Sequence, residues 1–371
     1  MRRLTVVQLL PALHSGGVER STLEIAAALV AAGHRAIVVS AGGRLLQPLL
    51  DSGAEHLTLD IGRKSLLTLR HVASLRRLFS ETGADIVHAR SRLPAWLGWY
   101  ALRGMPAGQR RPHWMTTMHG LNSPGRYSGI MASGERVICV SQTVRDYLLE
   151  HYRQTDPATL RVIPRGVDVA QFPRVERSDR RPRLAVAALH PALTGPAPLL
   201  LLPGRGTRLK GHAHALHLLA GLHRQGQAAV LWMPGIREPG REAYVRELEQ
   251  LAQTLGVADQ LVLSEPTTRI AEAYAASDLV LQLSDKPEAF GRTVLEALSV
   301  GRPVVGWNHG GVGELLSQLQ PSGAVARGDM QQLTHSVLHL LQSPPSLPRR
   351  IPYTLQAMQR ATLDVYAELA G

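Results

Sequence analysis

The sequence predicts an α/β protein of two Rossmann-like domains, each built on a parallel sheet, with the two sheets facing a central cleft. Three observations predict it. Short apolar runs alternate with longer helical patterns along the chain, which is how parallel sheets with crossover helices read. The alternation breaks once, in a proline- and arginine-rich stretch between Pro164 and Pro203, and then restarts. The length, 371 residues, is more than one ordinary core organises.

In order, strands are expected at 4–10, 36–40, 86–89, 114–118 and 136–140, where β-branched and aliphatic residues cluster. Helices are expected at 20–32, 66–81 and 142–151, where apolar residues recur at helical spacing. The stretch with Pro173, Pro182, Pro191, Pro196 and Pro198, and the basic run 177–183, reads as the interdomain connection and the lead-in to the second domain. Strands then follow at 199–202, 228–233, 261–263, 279–283 and 303–307. They alternate with helices at 211–224, 241–255, 270–276 and 293–299, and a last helix covers 355–369. The domains are drawn at 1–172 and 173–354, with 355–371 placed where it can pack back on the first. In open α/β sheets ligands bind at the carboxyl ends of strands, so the loops there are where chemistry is expected.

Composition excludes several classes. With 44% hydrophobic and 19% charged residues the chain is globular. Aromatics are 4%, three of them Phe, too few for base-stacking platforms, and no nucleic-acid partner is expected. The single cysteine, Cys139, lies in an apolar run and reads as a buried structural thiol. The run 4–13 is broken by Gln8 and Pro11 and lacks a small-residue cleavage site, and nothing is long enough to span a bilayer. A cytoplasmic protein is expected, at most peripheral on the inner face of the cell membrane. The formal charge is +12. Most of it, +9, lies before Pro173, which points to an anionic partner, such as a membrane surface or a phosphorylated glycan. Solvated surface arginines are the bland reading of any one of these charges.

Two strand-to-helix loops carry the motifs. Gly16-Gly17-Val18-Glu19-Arg20 opens the first helix, where glycines let an anion approach free backbone N–H groups. It does not match G-x-G-x-x-G. Leu202-Pro203-Gly204-Arg205-Gly206-Thr207-Arg208-Leu209-Lys210-Gly211 occupies the same place in the second domain. His212 stands where a P-loop needs Lys, so a P-loop is rejected. Arg205 offers a planar fork and Lys210 a point charge, which suits a diphosphate. Further on, Glu288-Ala289-Phe290-Gly291-Arg292-Thr293-Val294-Leu295-Glu296 sets two carboxylates across a turn-to-helix junction. Carboxylates accept from vicinal hydroxyls, and the amides of Phe290 to Thr293 suit phosphate or sugar oxygens. Gly310-Gly311-Val312-Gly313-Glu314 follows one strand later. His212, His214, His217, His335 and His339 lack the carboxylate or cysteine that would complete a metal set, and read as packed or solvent-facing.

With these pieces in order, Glu288 to Glu314 resembles the signature region of family 4 retaining glycosyltransferases of the GT-B fold. Met118-His119-Gly120 and Val162-Ile163-Pro164-Arg165-Gly166-Val167-Asp168 are further landmarks, and the resemblance covers nearly the whole chain. It implies that Glu296 holds the donor ribose and Glu288 the hydroxyls of the transferred sugar. Arg205 and Lys210 would neutralise the diphosphate, and the amides at Phe290, Gly291, Arg292 and Thr293 would bind sugar or phosphate oxygens. Gly16 and Gly17 would approach the donor phosphate, and Arg269 with Ile270 would meet the base through main-chain groups. His119 would lie near the reacting sugar, positioning the donor substrate by a hydrogen bond ahead of acting as a general base. Arg165 departs from the Asn frequent at its position. No Asp-x-Asp motif occurs, so no metal or other cofactor is expected; the co-substrate is a nucleotide-diphosphate sugar.

The acceptor is expected to be a saccharide or lipid-linked saccharide, with Arg90 and Arg92 on its phosphates and Arg63, Lys64, Arg70, Arg76 and Arg77 on anionic lipid. The signature is similar to that of bacterial lipopolysaccharide-core glycosyltransferases. Competing readings are a nucleotide-sugar epimerase of the same fold and a non-catalytic nucleotide-sugar-binding protein.

Overall fold

The computed structural model describes every residue except Met1 and Ser15. It divides into two compact units, Met1–Gly166 with Leu355–Gly371, and Val167–Thr354. The division falls earlier than the 172/173 boundary drawn from sequence, and packing explains why. The Val167 N–H already donates to the Tyr353 carbonyl (2.9 Å). Phe172 lies against Tyr274, and its carbonyl accepts from Ser299 Oγ (2.8 Å). Residues 167–172 are therefore fastened to the second unit.

The first unit carries β1 (Thr5–Leu9), β2 (Arg35–Ser40), β3 (Glu55–Thr58), β4 (Ile86–Ala89), β5 (His113–Met118), β6 (Arg136–Cys139) and β7 (Leu160–Val162), in the order β3-β2-β1-β4-β5-β6-β7. The second carries β8 (Leu199–Leu201), β9 (Val230–Pro234), β10 (Leu261–Ser264), β11 (Leu279–Gln282), β12 (Val304–Trp307) and β13 (Ala324–Val325), in the order β10-β9-β8-β11-β12-β13. Every strand pair is parallel. β4, β8, β11 and β12 are buried at every residue, which is why they read as largely apolar runs, broken only by His88 in β4 and Gln282 at the end of β11. Each leucine of β8 is fully buried, worth about 1.5–3 kcal/mol of transfer free energy apiece. The last helix, Leu355–Ala370, places Met358, Val365 and Tyr366 in the core of the first unit.

Some elements differ from the sequence expectation. Residues 66–81 form a 3-10 turn, Leu66–Arg70, and then an α-helix, His71–Glu81. The stretch read as a connection contains the helix Arg181–Leu189, with Pro182 in its first turn, where the missing N–H costs nothing. The edge strand β3 is only half-buried and so lacks an apolar run.

In each sheet the strand order reverses, between β1 and β4 and between β8 and β11. Loops leaving such a pair diverge and open a crevice at the carboxyl edge.

Candidate active site

In the second unit, the crevice beside β8 and β11 brings together two of the charged residues singled out from sequence, Lys210 and Glu288. The loop after β8 is pressed onto its neighbours by glycine. Gly211 has φ +73°, and a Cβ there would lie 1.9 Å from the Leu283 carbonyl oxygen; one at Gly206 would lie 2.5 Å from that of Ile236. This close approach brings Lys210 Nζ to 2.6 Å from Glu288 Oε1. Ser284 Oγ donates to the same oxygen at 2.7 Å. The two side chains remain 31% and 24% exposed, so the pair is open to a ligand. Burial pushes the Glu288 carboxyl upward, but the Lys210 charge and hydrogen bonds from Lys210, Ser284 and Gln282 outweigh it and hold it below its ordinary value. An ammonium has three N–H donors. One serves Glu288, and the others suit an anion.

The Glu288 backbone is fixed from behind. The Gly311 N–H donates to its carbonyl at 2.7 Å. A Cβ on Gly310 would sit 2.6 Å from that oxygen, and one on Gly311 would sit 2.4 Å from Phe290 backbone atoms. The double glycine of the signature therefore lets the helix Gly310–Leu319 dock on the Glu288–Phe290 loop. His309, which sequence reasoning passed over, donates from Nε2 to the Ser284 carbonyl (2.9 Å). Burial lowers its pKa, so it braces the residue that holds Glu288 without adding charge. Its place next to the double glycine was the one signal that could have found it.

Gly291, at φ +116°, starts the helix Arg292–Val300, whose first turn holds Arg292 and Thr293 and carries partial positive charge. Glu296 lies about one turn in, is 8% exposed, and accepts from Tyr274 Oη at 3.1 Å. Phe290 is buried edge-on to Tyr353, which leaves its main chain as the polar part. Arg205 is exposed. Arg269 is exposed and ion-paired with Glu272 (2.6 Å), just before the helix that begins at Ile270. His214 pairs with Asp285 (2.8 Å), while His212 is fully buried.

The first unit arranges its polar groups differently. Gly16 (φ +143°) precedes the helix Gly17–Ala31, and a Cβ at Gly17 would meet nothing within 4 Å. His119, half-buried after β5, is touched at Nδ1 by the Arg165 guanidinium, whose other nitrogen donates to Ser21 Oγ (2.6 Å). A guanidinium has only N–H donors, so Nδ1 must present its lone pair and the ring proton sits on Nε2. This arrangement suits a hydrogen-bond donor and not a base.

Arg90 requires a correction. It is 2% exposed, with Nε on Gln8 Oε1 (2.7 Å) and NH1 on Ser21 Oγ (3.2 Å), so it ties β1 to the first helix and does not face an acceptor. Beside it His88 is buried between Tyr366 Oη (2.7 Å) and Thr117 Oγ1 (2.6 Å). Arg92 is half-buried, donates to Ser128 Oγ (3.2 Å) and lies over the Tyr127 ring. Cys139 is fully buried, and burial pushes its thiol up to about 12.

Two family models match the chain: Glycosyltransferase Family 4 over residues 15–171 and Glycosyl transferases group 1 over residues 191–356. A D-inositol 3-phosphate glycosyltransferase of Xylanimonas cellulosilytica is 28% identical over 314 residues, 78% of this chain and 73% of that one. Among solved structures, a glycosyltransferase from Rickettsia africae is 26% identical with a TM-score of 0.86, covering 100% of this chain and 99% of that one. HepE of Anabaena, solved with UDP-glucose, shares the fold at 19% identity and a TM-score of 0.73, covering 99% and 97%.

Proposed function

The chain is a glycosyltransferase of the family 4 type with the GT-B fold, and on that premise we propose that it moves a hexosyl unit from a UDP-hexose or UDP-N-acetylhexosamine to a saccharide hydroxyl with retention of configuration. The observation that carries this reading is the contact between Lys210 and Glu288 at the crevice of the second sheet. It sets a cation for phosphate beside a carboxylate for sugar hydroxyls, the two chemistries a sugar diphosphate presents at its reacting end.

In this reading Lys210 and Arg205 take up charge as the bond from the anomeric carbon to the diphosphate breaks. Charge that develops on a leaving group is where fixed cations help most. They do so in place of a metal ion. The first-turn amides of the helix Arg292–Val300 add to this, Glu288 orients the hexose, and Glu296 holds the ribose. Arg269 and Ile270 meet the base through the main chain, and Gly16 and Gly17 leave room for phosphate. His119 donates from Nε2 to the sugar. The uridine donor is favoured by the bound UDP-glucose of HepE.

The acceptor is proposed to be a lipid-linked saccharide of the lipopolysaccharide-core kind, met at an anionic membrane face. Support comes from Leu66, Leu67 and Leu69, which are 86%, 72% and 51% exposed in a short turn flanked by Arg63, Lys64 and Arg70. Exposed leucines among cations suit a lipid interface. No helix among the described residues is long and apolar enough to cross a membrane.

A thermal-shift screen of nucleotide sugars tests the donor, because a ligand that binds only the folded state raises the melting temperature. The stabilising donor should then lose its nucleoside diphosphate only when acceptor glycan is added. Release or epimerisation with donor alone would favour an epimerase. Binding without turnover across acceptors, weakened in Glu288→Gln with no turnover to lose, would favour a binding protein and overturn the reading.

A further inference from the structure

We infer that the second unit has a second anion site, at the amino ends of β8, β11 and β12, built for a soluble phosphate or phosphate monoester. The candidate donor loops leave the carboxyl ends of the same strands. Strands of three or four residues at about 3.3 Å each put roughly 10 Å or more of buried sheet between the two places, so one ligand does not explain both.

The site is a surface pocket lined by Arg177, Arg180, Arg183 and Arg302, with Asp179 and Asp278. Both carboxylates are already engaged. Asp179 is ion-paired with Arg181 (2.8 Å), and Asp278 accepts the Leu199 N–H (2.8 Å) at 4.0 Å from Arg183. Arg302 is 2% exposed, and its hydrogen bonds go to neutral acceptors, the carbonyls of Val175 (2.7 Å), Ala275 (2.6 Å) and Gly301 (3.3 Å). Burial and the neighbouring charge of Arg177 lower it to about 10. A buried guanidinium held by carbonyls and surrounded by like charges is stabilised by any anion that enters.

Two of the cations are available for that anion. Among the described residues, no hydrogen bond or ion pair engages the side chain of Arg177 or Arg180. Arg183 is oriented by the Leu193 and Ala197 carbonyls (2.8 and 3.1 Å). Arg177, Asp179, Arg180 and Arg183 of the basic run that reads in sequence as a connection instead line a pocket. A dianionic phosphate matches it in two respects: its charge offsets the excess of guanidinium over carboxylate, and its oxygens accept forked Arg donors.

The test is calorimetric titration of the full chain with inorganic phosphate at low, fixed ionic strength. Saturable binding is expected. It should weaken about tenfold or more in Arg177→Ala/Arg180→Ala, which removes two charge-assisted partners, and persist in Lys210→Ala. Neither arginine has a side-chain hydrogen bond or ion pair among the described residues, so the double variant should keep its melting temperature. Arg302→Lys, which keeps the charge but loses the fork, gives a second reading in the same direction. Phosphate binding that is absent, unchanged in the double variant, or abolished by Lys210→Ala would overturn the site. The last result would move the anion to the donor loops and leave the proposed function standing.

Discussion

The two units place charged residues after equivalent strands of the same fold, and treat them in opposite ways. In the first unit, Arg90 follows β4 at the point where strand order reverses. It turns inward to Gln8 and Ser21 and is 2% exposed. In the second, the residues after β8 and β11 turn toward one another: Lys210 reaches Glu288 across the crevice, and both stay partly open to solvent. A charge next to a strand end is still within the sheet's reach and is buried if internal acceptors exist. A charge carried several residues out on a glycine-pinned loop is held at the surface. A charged side chain is thus spent on internal hydrogen bonds in one unit and left partly open to solvent in the other.

The largest expected effect would break this comparison if it failed. Lys210→Ala should lower transfer by about 10²–10³-fold, the range for loss of one group that stabilises developing charge, with little change in melting temperature. Without Lys210 only the hydrogen bonds from Ser284 and Gln282 oppose the burial of Glu288, so its pKa should rise from its present lowered position. An unfolded Lys210→Ala protein would show that the pair is structural.

Arg90→Met is the converse. It removes the donor on Gln8 Oε1, while Ser21 keeps Arg165, and it leaves a cavity, so urea unfolding should lose about 2–4 kcal/mol. An acceptor KM that rises while stability holds would instead restore Arg90 to the binding surface.

Each unit also buries a histidine, and pH sharpens the contrast between them. Burial lowers His212 to about 4 and His88 well below its ordinary value. A folded-state pKa below the unfolded one means that the unfolded chain takes up the proton first, so stability is full above about pH 6.5 and falls as pH drops toward 4. For His212 the loss approaches about 3 kcal/mol, at 1.36 kcal/mol per unit. His212→Gln should flatten the unfolding free energy over that window. His88 should still contribute to the slope, because its bonds to Tyr366 and Thr117 form in the other unit. A wild-type curve flat between pH 4 and 6.5 would refute the burial argument for both.

What could be read in the sequence follows the same division. The central strands were legible because burial on both faces makes them largely apolar, and the helix Ile270–Ala276 forms over the residues expected from sequence. Lys210 and Glu288 were legible because glycines and charges stand together at strand ends. Arg90 was not, since its acceptors lie 82 and 69 residues away and nothing local announces them. The helix Arg181–Leu189 was hidden by Pro182 and by arginines that mimic a linker. The strand β13 spans only Ala324–Val325, too short for a period to register. His309 acts through a backbone carbonyl, a contact that no spacing encodes.

The smallest expected effect concerns Arg269, a site residue whose proposed role runs through its main chain. Its side chain is exposed and paired with Glu272 one helical turn away. Surface pairs of this kind contribute about 0–1 kcal/mol, since solvent screens them and ordering two long side chains costs entropy. Arg269→Ala should therefore change unfolding free energy by less than about 0.5 kcal/mol and leave the donor's KM near its wild-type value, because the main chain before Ile270 is kept. Arg269→Pro removes the backbone N–H and restricts the residue before it, so it should raise the donor's KM while Arg269→Ala does not. Equal effects of the two substitutions on KM would mean that the guanidinium, and not the backbone, meets the base.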